Sequence, residues 1–241
     1  MIATSTRVLR QLRHDPRTIG MVLVVPCLLM TLLWWMFQDS PGGEQIFTAA
    51  APALLAMFPL LIMFLITSVA TLRERTTGTL ERLLTLPLSR GGLIGGYALA
   101  FGLVAVVQAA AVSALLIGAL DFDPAGPFFL LLGVAALDAV LGVALGLFVS
   151  AFARTEFQAV QFMPAILVPQ LLLCGLFVPR GDLPPVLEVI SNALPLSYAV
   201  DAITEVSTQA EPDILAQVGI LAAFTVGVLV LGSLTLRRRS D

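Results

Sequence analysis

The stretch RERTTGTLERLLTLPLSRGGLIGG, residues 73–96, is a charged interval between two long apolar runs. Within it, Gly78 and Thr79 are typical of a helix start, because a threonine hydroxyl can accept a hydrogen bond from the free N–H groups of a first turn. The pattern predicts a short amphipathic helix over Leu80–Leu86 that ends at Pro87. A helix this short is marginal alone in water, so we expect a membrane surface or a protein partner to hold it.

The composition excludes an ordinary soluble protein. Hydrophobic residues make up 58% of the 241 residues and charged residues 12%, and the mean hydropathy is +0.97. A soluble domain has about a quarter of its residues charged, and a bilayer-spanning helix needs roughly 20 apolar residues. We therefore predict an all-α polytopic membrane protein with six transmembrane helices, over residues 18–37, 46–72, 93–120, 128–153, 157–178 and 213–236.

Lysine is absent from the chain, and all thirteen basic residues are arginine. A Walker A phosphate loop requires the lysine of GxxxxGK[ST], so any ATP chemistry must belong to another polypeptide. Cys27 and Cys174 lie inside apolar runs and indicate buried thiols rather than a metal site. His14 is the only histidine, which leaves no basis for a metal-binding HExxH motif.

The arginines are divided unevenly between the two sides that six spans define. Twelve of the thirteen fall on the side that holds both termini and residues 73–90, and Arg180 alone falls on the other. The positive-inside rule assigns the arginine-rich side to the cytoplasm. Both termini are thus predicted to be cytoplasmic.

Residues 1–15 are predicted to form an amphipathic helix in the membrane interface. Three arginines fall on one side of the helical wheel and three apolar residues fall opposite: Arg7, Arg10 and Arg13 against Val8, Leu9 and Leu12. Arginine stems can lie along the headgroup region while the apolar residues dip below it. Asp15 and Pro16 are a suitable cap and first-turn pair for the next helix.

The charged segment resembles the cytoplasmic signature of ABC-2 type exporter permeases, close to the daunorubicin-resistance kind. The resemblance is carried by Arg73, Glu74, Gly78, Thr79, Leu80, Glu81, Leu83, Leu84, Pro87, Ser89 and Arg90. It implies that residues 73–90 form a coupling helix that docks on a separate ATPase subunit. The docking residues implied are Arg73, Glu74, Arg75, Gly78, Thr79, Leu80, Glu81, Arg82, Leu83 and Leu84. A positive-inside anchor would explain the arginines but not the interleaved glutamates.

Residues 179–212 contain two apolar segments, 186–194 and 196–203, that are each too short to span a bilayer. We expect both to lie at the outer surface or to dip in and return. The run from Gly175 to Asp201 resembles the outer re-entrant region of the same permease family. Its matching residues include Phe177, Pro179, Leu183, Pro184, Pro195 and Tyr198.

The resemblance covers nearly the whole chain, residues 1–241 as one domain. It implies a multi-pass subunit in the inner membrane of a bacterium that moves a hydrophobic or amphipathic cargo, such as a drug, a lipid or a glycan precursor, out of the cytoplasm. The implied partners are the ATPase subunit, which would hold ATP and Mg²⁺, a second permease copy or related permease, and membrane lipid. No cofactor in this chain, no enzymatic activity of its own and no nucleic-acid partner are expected.

Asp138 is the one acid in the middle of a span, where a charge costs about 2.5–3.5 kcal/mol. We expect it to face the helix bundle or a water path, and a protonated or amide-paired structural aspartate is the alternative. Two other functions stay open: a proton- or ion-coupled carrier that uses Asp138, and a non-transporting membrane assembly factor.

Prolines and amides mark further candidates for translocation or gating. Pro59 is predicted to kink the second span. In the fifth span they are Gln161, Pro164, Pro169 and Gln170, and such residues favour a bent helix buried among others. In the fourth span, Gly142 and Gly146 have the GxxxG spacing of a close helix–helix contact.

Overall fold

The computed structural model describes residues 2–77 and 90–235, and the regular elements in these ranges are all helical. Six helices are long and apolar enough to cross a membrane. They are α2 (Pro16–Gln38), α3 (Gly43–Thr76), α4 (Arg90–Ala119), α5 (Phe128–Ser150), α6 (Glu156–Leu173) and α9 (Leu215–Thr235). The predicted all-α architecture with six spans is confirmed. The predicted helix over residues 80–86 lies outside the described residues.

The N-terminal helix α1 (Ile2–Arg13) is joined to α2 by a two-residue elbow. Asp15 caps α2: its carboxylate accepts hydrogen bonds from the Thr18 backbone N–H at 3.2 Å and the Thr18 hydroxyl at 2.7 Å. Pro16 occupies the first turn, so the predicted cap and first-turn pair is confirmed. The Thr18 hydroxyl also holds the pKa of Asp15 below its usual range.

The core of the bundle is the contact between α3 and α5. Gly142 and Gly146 face the α3 backbone so closely that a Cβ on them would lie 2.4 Å from the Leu60 carbonyl oxygen and 2.6 Å from that of Phe64. The predicted close contact at the GxxxG spacing is confirmed. α3 runs through Pro59 as one helix, and a kink there stays a prediction.

At the end of the bundle opposite α1, a 3₁₀ turn (Arg180–Asp182) leads into α7 (Pro185–Asn192) and α8 (Pro195–Thr208). The axes of α7 and α8 differ by 89°. Their lengths of 8 and 14 residues confirm that neither segment spans a bilayer by itself. Much of α8 is buried, and the loop before α5 covers its end, where the Gly126 N–H donates to the Val206 carbonyl at 2.9 Å.

The fifth span corrects the sequence-based prediction in two ways. Gln161, Pro164 and Pro169 are exposed in this chain, so the prediction that the span is buried among its helices is wrong for the single chain, and only Gln170 of the predicted set is buried. Polarity indicates that a residue needs a partner but not that the partner lies in the same chain. The helix also ends at Leu173 rather than near Val178, since Gly175 adopts a φ of +98° that breaks the helical path.

Candidate functional site

The last turn of α3 directly precedes residues 78–89 and ties four other helices together. Three consecutive residues make these contacts. Arg73 contacts α6, Glu74 contacts α1 and α4, and Arg75 contacts α5. We call these three residues and their partners, Arg7, Tyr97, Ser150 and Glu156, the α3 junction. A helix turns by about 100° per residue, so consecutive side chains diverge and can reach different neighbours.

Glu74 forms the buried centre of the α3 junction. One guanidinium nitrogen of Arg7, Nη2, lies 2.8 Å from Glu74 Oε2 and 2.8 Å from the Tyr97 hydroxyl oxygen. The Tyr97 hydroxyl donates a hydrogen bond to the same carboxylate oxygen. The Glu74 side chain is 10% exposed and that of Arg7 33% exposed. A charge this buried needs paired donors, and here they come from α1 and α4.

The two arginines beside Glu74 make contacts nearer the surface. Arg73 donates from Nε and Nη2 to the two carboxylate oxygens of Glu156, at 2.7 Å and 2.9 Å, in a bidentate pair at the start of α6. Arg75 donates from Nη1 to the backbone carbonyl of Ser150, the last residue of α5. A cation at a helix C-terminus is favourable, because the last carbonyls lack partners and the helix dipole is negative there.

The structure places only part of the predicted docking set. Arg73, Glu74 and Arg75 lie in the contacts just described, whereas Gly78, Thr79, Leu80, Glu81, Arg82, Leu83 and Leu84 lie outside the described residues. Docking of an ATPase on residues 73–90 therefore stays a prediction. The structure adds that the N-terminal edge of this segment is fixed to the bundle.

The interfacial helix needs a correction. Arg10 and Arg13 are exposed, but Arg7 is half-buried against Glu74 and Tyr97, so grouping it with a headgroup-facing stripe is wrong. Val8 is 3% exposed and packs in a cluster with residues of α2 to α5 rather than dipping below the headgroup region into lipid. The wheel ranked residues by polarity, whereas Arg7 lies next to the buried face of α1, which includes Thr4 and Ser5, and pairs there with a buried acid.

Tyr97 and Glu156 were not predicted as site residues from the sequence. A signal for Tyr97 did exist: the chain has only two tyrosines, and a buried phenol in an apolar run usually finds a polar partner. Both tyrosines meet an arginine, Tyr97 with Arg7 and Tyr198 with Arg180. For Glu156 no comparable signal is present, because an acid in a short turn is ordinary.

Asp138 and Gln170 lie away from the α3 junction. Asp138 is fully buried in α5, and no described residue makes a hydrogen bond to either carboxylate oxygen. The amide-paired alternative is therefore not found in the described part of the chain. Gln170 accepts a hydrogen bond from the Leu196 N–H at 3.3 Å and so links α6 to α8.

Six apolar helices, four of which are joined at one end by the α3 junction, define a polytopic membrane protein. Comparison with known families places it further: residues 1–207 match the model of the ABC-2 type transporter, and the chain belongs to that family. The resemblance seen in the sequence is confirmed. Membership is consistent with the membrane subunit of an ABC exporter.

Curated relatives carry transporter names. The chain is 30% identical over 150 residues to the probable multidrug ABC transporter permease YbhR of Escherichia coli K12, covering 62% of this chain and 41% of that protein. It is 26% identical over 205 residues to the linearmycin resistance permease protein LnrN of Bacillus subtilis 168, covering 83% and 52%. The chain thus spans about half the length, or less, of these relatives.

Proposed function

We propose that this chain is the permease subunit of an ATP-driven exporter, powered by a separate ATPase subunit that docks on residues 73–90 from the cytoplasm. The observation that supports this most is the α3 junction, in which the first three residues of the docking segment contact α1, α4, α5 and α6. Family membership and the absence of a Walker lysine support it independently.

The junction gives the docking segment a mechanical connection to the bundle. Residues 78–89 follow α3 and precede α4, so a displacement of the segment acts on both helices through the chain itself. Glu74 passes the displacement to α1 through Arg7, and Arg73 passes it to α6 through Glu156. ATP hydrolysis would thus change the packing of several spans together, which is what opening and closing a path requires.

Capture of the ATPase tests the docking step. The candidate partner is any GxxxxGK[ST] protein whose reading frame adjoins that of this chain. It is co-expressed with the tagged permease, and co-purification and ATP turnover are measured. Glu81→Arg and Gly78→Pro are expected to reduce capture at least about tenfold while membrane insertion is unchanged.

The matched control is Glu188→Arg, the same charge reversal on an exposed glutamate of α7 at the opposite end. It is expected to capture the ATPase normally. Normal capture by both Glu81→Arg and Gly78→Pro would refute docking on this segment. The permease alone is expected to show no ATP turnover.

A second permease, either a copy of this chain or a related one, is proposed to cover α6. Phe157, Gln161, Pro164, Val168 and Leu172 form an exposed stripe on this helix at spacings of three and four residues. An amide is costly against lipid, and prolines free carbonyls that need partners. A facing helix can supply such partners.

Disulfide cross-linking tests the dimer. Gln161→Cys, with Cys27 and Cys174 replaced by serine, is expected to give a cross-linked dimer in membranes after mild oxidation. Met21→Cys on the exposed side of α2 is the control and is expected to stay monomeric. Equal cross-linking of both variants would contradict a specific α6 interface.

The cargo is proposed to be hydrophobic or amphipathic, since the spans are apolar and carry few charges. Export of drug-like dyes from proteoliposomes that hold the permease and its ATPase would test this class. The rival, a carrier coupled to protons through Asp138, is favoured by one observation, the full burial of that acid without a described partner. It requires export that fails with a proton ionophore and with Asp138→Asn but survives without ATP.

A further inference from the structure

A cavity of about 150 Å³ lies at the elbow between α1 and α2. Four helices contribute to its wall: Leu12 from α1, Val22 from α2, Ile66 from α3, and Phe101 and Val104 from α4. Arg13 is the one charged residue that lines it among those the structure describes. We call this space the elbow cavity.

The lining of the elbow cavity decides what can fill it. An apolar space of this size holds no stably bound water, because a buried water needs two to four polar partners, and such spaces take up hydrocarbon instead. Leaving it empty forfeits the dispersion contacts of its wall. The cavity is only partly enclosed and adjoins spans that lie in the bilayer, so acyl chains are the hydrocarbon at hand.

The charges around the elbow cavity favour an anionic head group. Arg10, Arg13 and Arg17 are exposed, and none forms a salt bridge with any residue in the described ranges. The nearby acid, Asp15, accepts hydrogen bonds from Thr18 through both carboxylate oxygens and interacts electrostatically with Arg17. An amphipathic helix in the interface holds such arginines at the level of lipid phosphates, where each contributes about 1 kcal/mol of attraction to an anionic surface.

We propose that the elbow cavity binds one acyl chain of an anionic phospholipid whose phosphate is held by Arg13. The combination of an apolar space with an exposed guanidinium in its wall matches the two parts of such a lipid. Arg7 and Arg13 then fix α1 from two sides, Arg7 through Glu74 and Arg13 through the lipid. The site requires neither the ATPase nor the cargo.

Native mass spectrometry of the purified full chain tests the site. The probes are phosphatidylglycerol and phosphatidylcholine with identical acyl chains, added separately to protein in detergent, with the bound fraction measured at one activation energy. The wild-type chain is expected to retain phosphatidylglycerol in preference to phosphatidylcholine. Arg13→Gln is expected to lower that preference about fivefold, and Arg154→Gln, the same change on an exposed arginine after α5, to leave it unchanged.

A second pair of variants tests the acyl chain. Val104→Phe and Ile66→Phe each add a ring to a partly buried residue of the cavity wall. Each is expected to lower retention of both lipids about tenfold, because methylenes excluded from an apolar site no longer contribute to binding. Circular dichroism checks that helix content is unchanged in each variant. If one variant misfolds, the other still tests the cavity.

Three results would overturn the proposal. Equal effects of Arg13→Gln and Arg154→Gln would remove Arg13 as the phosphate ligand. Wild-type retention by both folded filling variants would place the acyl chain elsewhere. Equal retention of the two lipids by the wild-type chain would show that the head group is not selected.

Discussion

Each end of the helix bundle contains an arginine network. One network joins elements that are neighbours in sequence, and the other joins helices that are far apart in sequence. At the end away from α1, Arg180 donates from Nε to Ser191 Oγ at 2.9 Å, donates to Asn192 and Asp201, and stacks on the Tyr198 ring at 5.2 Å. Its hydrogen-bond partners lie 11 to 21 residues away in sequence. The α3 junction joins residues 67 to 90 positions apart, except for the Tyr97–Glu74 hydrogen bond, which joins residues 23 positions apart.

The difference in sequence distance indicates a difference in role. The Arg180 network links the 3₁₀ turn, α7 and α8 into one local unit, so we expect that breaking it leaves the spans in place. The α3 junction connects helices that lie far apart in sequence, so we expect that breaking it changes how the spans pack against one another. Variants in both networks are expected to lower stability, so the unfolding midpoint alone does not distinguish the two roles. Stimulation of the ATPase does, because only the α3 junction is proposed to transmit movement.

The largest effect is expected at the centre of the α3 junction. Glu74→Ala leaves the Arg7 guanidinium and the Tyr97 hydroxyl without their acceptor, and a lost hydrogen bond to a charged group costs about 1.5–3 kcal/mol. At about 2–4 °C per kcal/mol for a chain of this size, the midpoint of thermal unfolding in detergent should fall by roughly 3–12 °C. Stimulation of the ATPase by the permease is expected to be lost as well.

Tyr97→Phe serves as the graded companion to Glu74→Ala. It removes one donor to the carboxylate and leaves the Arg7 pair, so about half of the thermal shift is expected. Unchanged unfolding midpoints in both variants would mean that the buried cluster does not hold α1, α3 and α4 together, and the contrast between the two ends would fail.

A smaller and more local effect is expected at the opposite end. Arg180→Ala removes the hydrogen bonds to Ser191, Asn192 and Asp201, and amide hydrogen exchange should rise over residues 179–201 while that of α3 to α5 is unchanged. ATPase capture and stimulation should match the wild type. Arg180→Lys keeps the charge but not the planar guanidinium, so its amide hydrogen exchange over residues 179–201 should lie between that of the wild type and that of Arg180→Ala. Exchange that rises across the spans would show that this network is not local.

How far the sequence leads can be judged from these same residues. Hydropathy identifies the spans because each must supply enough apolar length by itself, and Pro184 and Pro195 lie near the starts of α7 and α8 as proline rules require. Arg73, Glu74 and Arg75 stand out in sequence as charges after an apolar run. Their partners do not, since Tyr97 and Glu156 are brought to α3 only by the packing of α4 and α6.

The error over α6 has the same physical origin. Its glutamines and prolines predict a helix that needs polar partners, but periodicity carries no information on whether the partner is in the chain. Arg7 is the converse case. The pattern on α1 predicted that it lies at the surface, but it is half-buried because it pairs with Glu74 of α3. In both, a tertiary contact outweighs a local preference.

The smallest change in stability, and the sharpest test of transmission, is expected at the Arg73–Glu156 pair. Both side chains are at least half exposed, and an exposed pair contributes about 0.2–1 kcal/mol and is screened by salt. Arg73→Glu or Glu156→Arg should thus shift the unfolding midpoint by only about 1–3 °C. If the pair passes movement from α3 to α6, each variant should still capture the ATPase but lose part of its stimulation, and the charge-swapped double variant should regain it. The charge swap restores the attraction between the two positions and changes only the side-chain geometry. If stimulation falls equally in the single and double variants, the attraction between α3 and α6 does not transmit movement, and transmission is confined to Glu74.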